Sequence, residues 1–236
     1  MAQPWRIPTV AIAVDLAVLT IRAGKLNILL VTRGIEPYLG RLALPGGFLA
    51  SDDEDIDVAA ARELAEETGL SAKDLHLEQL RTYGRPGRDP RQRVVTICYL
   101  AMMPDLPLPH SGGDARTAKW VPVDTALNRK RRLAFDHAAI IADAVERARA
   151  KLEYTTLATA FCGPEFTISE LRGVYETVWS EQLDPRNFHR KVTSVDGFLV
   201  PTGNRTNNNG GRPAATYRRG TATMLHPAIL RDTNSR

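Results

Sequence analysis

The segment LPGGFLASDDEDIDVAAARELAEETGL, residues 44–70, sorts its residues by type: a glycine pair, an acidic loop, then an alanine- and glutamate-rich run closed by Gly69. Residues 55–68 contain neither proline nor glycine, which predicts a helix with a glycine stop. On that helix Glu63, Glu66 and Glu67 stand at i, i+3 and i+4, so the three carboxylates share one face and repel one another unless a cation neutralises them. Oxygen donors of this kind suit Mg²⁺ or Mn²⁺, either of which can bridge to a pyrophosphate and stabilise the charge that builds as water attacks phosphorus. Ala60, Ala61 and Leu64 are the residues expected to face a sheet. A merely solvated acidic face explains neither the glycines nor Arg62.

Outward from this segment, residues 10–20 and 26–32 are rich in Val, Ile and Leu and flank Arg22-Ala23-Gly24-Lys25, the pattern of two strands joined by a hairpin turn. Residues 93–103 predict another strand and 119–122 a short one. Residues 128–151 predict a long helix with Phe135, Ala138, Ala139, Ala142 and Val145 as its apolar stripe. The expectation is a mixed sheet with helices on its faces.

Residues 44–70 resemble the Nudix box, whose helix carries the block Arg-Glu-apolar-x-Glu-Glu-x-Gly-apolar; here it reads Arg62-Glu63-Leu64-Ala65-Glu66-Glu67-Thr68-Gly69-Leu70. The resemblance implies an α/β/α Nudix domain over residues 1–151, with Glu54, Arg62 and Glu66 as its catalytic set. It implies Gly46 (through its carbonyl), Glu63, Glu66 and Glu67 as metal ligands, and a Glu54–Arg62 pair that holds the loop to the helix. One departure is visible: six residues, 48–53, separate Gly47 from Glu54 where the box has five, so a loop bulge near Asp52 and Asp53 is expected. Arg85, Arg88 and Arg91 lie on the turn-rich stretch YGRPGRDPR, where paired hydrogen bonds to phosphate or ribose oxygens are one reading and an exposed basic loop the other. GRDPR and the later Leu133-Ala134-Phe135-Asp136-His137 look like the ADP-ribose-directed branch of the family. Asp114 is a further candidate for a metal ligand or base.

Charge is unevenly placed along the chain, whose net is +4. Residues 186–236 carry nine Lys/Arg against two Asp/Glu, and the preceding residues 22 against 25. A concentrated basic segment is the electrostatic footprint of a polyanion binder, or a solubility feature. Within 152–225, residues 155–161 predict a short helix. Phe166 to Leu171 opens a second, with Thr167 or Ser169 as cap and Leu171, Val174, Tyr175 and Val178 buried. Asp184-Pro185 starts a third, with Asp184 as N-cap. On it Phe188 and Val192 face inward, while Arg186, His189 and Arg190, flanked by Asn187 and Lys191, form the set expected to face a major groove. Residues 196–200 and 213–217 predict the strands of a wing whose Arg205 and Arg212 would meet phosphate or the minor groove.

The C-terminal text, from KLEYTTLATAF through FTISELRGVYETVW and LDPRNFHRKV to GRPAATYRR, is similar to the winged-helix half of NrtR-type regulators of NAD metabolism. That resemblance implies a winged helix-turn-helix domain over 152–225 with a tail, 226–236, and a homodimer. It implies ADP-ribose or a related nucleotide as effector and a double-stranded DNA operator as partner. A Mg²⁺-dependent hydrolase releasing AMP and ribose 5-phosphate from ADP-ribose is the alternative reading. Cys98 and Cys162 are too few for a disulfide framework and are expected to be reduced and inert. Met1 to Pro8 lacks a signal-peptide pattern and no apolar run spans a bilayer, so no membrane association and a cytoplasmic location are expected.

Overall fold

The structure is a computed structural model that describes residues 8–71, 77–104, 106–109, 115–206 and 213–231. The chain divides into two compact units, the first made mainly of residues up to Ala144 and the second mainly of Val145 onward.

In the first unit, β1 (Ala11–Arg22) and β2 (Lys25–Arg33) are joined by Ala23 and Gly24, both at positive φ (49° and 68°), the backbone a two-residue hairpin turn demands. The seven-stranded sheet runs β3 (Leu42–Ala43), β2, β1, β6 (Val94–Met102), β5 (Glu78–Tyr83); β4 (Gly46–Phe48) also pairs with β1, and β7 (Ala115–Pro122) with β2. β1 is the hub, parallel to β6 from Ala11↔Val94 to Leu19↔Met102 and antiparallel to β4 from Ala13↔Phe48 to Asp15↔Gly46. Its run Leu16–Leu19 is fully buried, as a strand covered on both faces must be. Within this strand Asp15 is the one acid.

Helix α1 (Ile56–Thr68) starts at Asp55, whose side chain accepts from the Asp57 N–H, and stops at Gly69 in the left-handed region. Ala59, Ala60 and Leu64 are its buried apolar residues, one position earlier in part than the expected Ala60, Ala61 and Leu64.

The long helix expected over 128–151 is interrupted. Short helix α2 (Val123–Asn128) and a 3-10 turn (Lys130–Arg132) come first, Leu133 then bridges Leu42, and α3 (His137–Tyr154) begins only after Phe135, at φ 48°. The buried stripe shifts accordingly: Ile140, Ile141, Ala144, Val145, Ala148 and Leu152 are inside, whereas Ala139 and Ala142 are exposed. The two isoleucines set the phase because they remove more apolar area from water than the alanines do.

The second unit contains a 3-10 helix (Thr156–Phe161) where an α-helix was expected, then β8 (Phe166–Thr167), α4 (Ile168–Trp179), α5 (Pro185–Thr193), β9 (Leu199–Thr206) and β10 (Ala214–Arg219). Strand order is β8-β10-β9, antiparallel throughout. Thr167 is the N-cap of α4 in a reciprocal capping box with Glu170. The first wing strand lies later than the expected 196–200, because Gly197 (φ 68°) turns the chain before Leu199. Tyr175 packs edge-on against Trp179 and Phe188, at 4.9 and 5.2 Å between ring centroids, and fills the centre. The segment expected to be a tail is packed in part: Ile229 is buried, and Arg231 pairs with Glu153 at 2.9 Å and Glu146 at 3.2 Å. No helix among the described residues is long and apolar enough to cross a membrane.

Candidate functional site

The glycine pair is required by close packing. A Cβ on Gly46, at φ 151°, would come within 2.2 Å of the Val14 carbonyl oxygen, and one on Gly47 within 2.2 Å of Glu63 Oε1. The loop therefore lies directly between β1 and the carboxylate face of α1. Gly46 donates its N–H to Glu67 Oε2 at 2.9 Å. Arg62 forks onto Glu54 at 2.7 and 3.0 Å, donates to the Phe48 carbonyl at 3.1 Å, and reaches Glu63 and Glu66 at 2.8 and 3.2 Å. This one guanidinium ties loop to helix. It also holds the Glu54 carboxyl down to about 2, helped by the Ala50 N–H. The extra loop residue is taken up in the turn before Glu54, where Asp52 and Asp53 are exposed.

Glu63, Glu66 and Glu67 line one wall of a cleft of about 370 Å³. Burial pushes the Glu67 carboxyl up to about 7, against the opposing Gly46 hydrogen bond, with Glu63 adding repulsion. Burial also raises Glu63, although Arg62 opposes it. Among the described residues no three His, Cys, Asp or Glu side chains converge into a closed metal cage. Mg²⁺ needs none: it binds through one or two carboxylates, waters and substrate phosphates. A wall of hard oxygen donors, two of them disfavoured as bare anions, fits that ion.

The opposite wall uses residues to which the sequence pattern alone gave no role. Arg88 is buried and forks onto Asp136 at 3.0 and 2.7 Å, with Asp15 at 3.4 Å. Burial works against its charge, yet the two carboxylates prevail and raise its pKa. His137 accepts the Leu44 N–H on Nδ1 at 2.8 Å and faces Asp15 with Nε2 at 3.5 Å; full burial lowers its pKa. Of the three loop arginines, Arg88 and Arg91 line the cleft and Arg85 does not; Arg88 is spent on the wall, and Arg91, forked onto Asp89, keeps an exposed side chain. Asp114 lies outside the described residues. Asp15 carried a sequence signal, as a lone acid in an apolar strand. Asp136 and His137 were visible only as part of a motif.

In the second unit, α5 buries Phe188 and Val192 and leaves Arg186, Asn187, His189 and Arg190 exposed, with Lys191 half-buried. Asp184 caps the helix by accepting the Asn187 N–H at 2.7 Å. Arg190 donates to the Asn187 side chain at 2.8 Å, and Lys191 reaches the Leu230 carbonyl at 3.5 Å. Arg205 is exposed on β9 and donates to the Pro213 carbonyl at 3.1 Å; Arg212 lies outside the described residues. Arg218 and Arg219, exposed at the end of β10, are wing cations that no sequence pattern singled out.

A glycine loop clamped to a three-carboxylate helix, in one chain with a three-stranded wing behind an exposed basic helix, defines a Nudix domain joined to a winged-helix domain. The NUDIX domain family matches residues 11–144, and the NrtR DNA-binding winged helix domain matches residues 159–219. The chain belongs to the Nudix superfamily and, within it, to the NrtR-type proteins. It is 32% identical over 212 residues to the ADPR responsive transcriptional repressor NtrR of Acinetobacter baylyi, covering 89% of this chain and 82% of that one. It resembles Shewanella oneidensis NrtR, solved in complex with a 27mer DNA, with a TM-score of 0.68 and 32% identity over 88% of this chain and 93% of that one. The NUDIX domain of the same protein, solved in complex with ADP ribose, matches at a TM-score of 0.55 and 35% identity over 60% of this chain and 90% of that one.

Proposed function

We propose that this protein is an ADP-ribose-responsive, DNA-binding transcriptional regulator that acts in the cytoplasm as a repressor of genes for NAD biosynthesis or salvage. The observation that carries this reading is the pairing, in one chain, of a carboxylate-walled cleft with a separately anchored helix that exposes Arg186, Asn187, His189 and Arg190. An enzyme has no use for that helix. In this reading Mg²⁺ is held by Glu63, Glu66, Glu67 and the Gly46 carbonyl, and supplies charge neutralisation at the diphosphate. Glu54 and Arg62 keep the loop in place. Arg91 and the exposed Arg85 are the loop cations left to meet phosphate or ribose oxygens.

The test is binding to a fragment from the protein's own upstream region, measured with and without ADP-ribose and Mg²⁺. Binding that ADP-ribose weakens supports an ADP-ribose-relieved repressor, and Glu66→Gln or Glu67→Gln is expected to blunt the response by removing a charged ligand at nearly constant size. Operator binding that neither ADP-ribose nor the two substitutions alter overturns the reading. A second reading, hydrolysis of ADP-ribose, is favoured by the intact set Glu63, Glu66 and Glu67; release of AMP and ribose 5-phosphate in the same samples would support it.

A further inference from the structure

Two bulky residues of the first unit, Tyr38 (φ 68°) and Phe135 (φ 48°), have left-handed backbone, and they pack against each other edge-on at 4.9 Å. Left-handed backbone is costly for aromatic side chains, and it persists only where the surroundings over-determine it, most often at ligand clamps and switch regions. Phe135 is over-determined on both sides. The Ala134 N–H is fixed to the Leu42 carbonyl at 2.8 Å, Asp136 is forked by Arg88, and His137 receives the Leu44 N–H. The result of this strain is that the Phe135 ring lines the cleft.

There it is one rung of a ladder. The Arg33 guanidinium lies 4.8 Å from the Phe135 ring centroid; Arg91 lies 5.8 Å from the same ring and 5.0 Å from the ring of Phe48, which also lines the cleft. Aromatic faces alternating with planar guanidinium groups accept a flat, polarisable heterocycle as another rung, by stacking and cation–π attraction. The carboxylates of α1 stand on the other wall of the same cleft and suit a metal-bound diphosphate.

We infer that Phe135 and Phe48, with Arg33 and Arg91, form the seat for the base of a nucleoside diphosphate ligand, and that Phe135 determines the preference for ligands carrying a base. This inference rests on the proposed nucleotide-sensing role and adds a base subsite to it. A purely packing role for Phe135 is the outcome that the test must separate.

The test measures, in the presence of Mg²⁺, the affinity of the full chain for ADP-ribose, ADP and inorganic pyrophosphate, in the parent and in Phe135→Leu, Phe135→Tyr and Phe48→Leu, with thermal unfolding recorded for each. Base stacking predicts that the parent prefers ADP to pyrophosphate by about tenfold or more. Phe135→Leu is expected to collapse that ratio with pyrophosphate affinity unchanged, and Phe135→Tyr to restore it. A ratio near one in the parent, or a folded Phe135→Leu that keeps the parental ratio, overturns the inference. So does equal loss of ADP and pyrophosphate, the signature of a distorted loop. If Phe135→Leu fails to fold, Phe48→Leu takes its place: a collapsed ratio supports the base seat, and a parental ratio overturns it. A parent that binds ADP but not ADP-ribose removes the effector reading while the base seat stands.

Discussion

His137 is held as a neutral imidazole in a defined tautomer. Its Nδ1 is occupied as an acceptor by the Leu44 N–H, so Nε2 carries the proton, and it faces Asp15. Full burial lowers its pKa below the ordinary 6.5, with Asp15 opposing and Arg88 assisting. The sign follows: below pH 6.5 the unfolded chain takes up a proton that the folded chain refuses. The stabilisation is therefore whole above pH 6.5, and is lost as the pH falls through the lower folded value. Denaturant unfolding of the parent and of His137→Leu across pH 5 to 8 checks this. The parent should lose stability on the acid side more steeply than the variant, and parallel curves would refute the assignment.

At the level of the element, α5 is an anchored helix with an uncommitted outer face. Its anchor is Phe188, nearly fully buried against Tyr175. Truncation to alanine is expected to cost about 3–5 kcal/mol, read by denaturant melting, because a ring-sized cavity remains in a core that cannot collapse around it. The outer face behaves oppositely. Arg186→Ala and Arg190→Ala should leave melting unchanged and remove roughly 1–3 kcal/mol of discrimination between operator and scrambled duplex. Asn187 is linked to Arg190 in the free protein, so contact with adenine through Asn187 requires that hydrogen bond to be exchanged. Arg205, on the wing, should act on all sequences alike and lower the salt slope by about one unit if it holds phosphate. Salt titrations of both duplexes separate these roles; variants of α5 that lose nothing on the operator would shift the balance toward hydrolysis.

For the whole molecule, the acidic balance before residue 186 and the surplus of seven positive charges after it give the protein an oriented attraction to DNA. A palindromic operator calls for a two-fold pair of recognition helices, so a homodimer is expected in solution. The alanine stripe that suggested a packing surface is only partly available for it: Val145 is buried within its own chain, while Ala139 and Ala142 remain exposed. Sedimentation should give twice the chain mass at micromolar concentration. A monomer at high micromolar concentration that occupies a single half-site would exclude the dimer.

What could be read from sequence alone was whatever is local or periodic. The helix of residues 55–68 was legible from its composition and its glycine stop, and the common face of Glu63, Glu66 and Glu67 from helical spacing, because 3.6 residues per turn leaves no other arrangement. The caps Asp184 and Thr167 and the inward pair Phe188 and Val192 were legible for the same reason. Asp15, Asp136 and His137 were not assigned, since β1 and the start of α3 come together only when the sheet forms and Leu133 bridges Leu42. Strands as short as Leu42–Ala43 and Gly46–Phe48 carry no periodicity to detect. The break before α3 was missed because Phe135 is held at φ 48° by contacts with residues distant in sequence. Arg88 marks the same limit: its sequence suggested a phosphate contact, and only tertiary structure, by placing two carboxylates around a buried guanidinium, turned it into part of the wall.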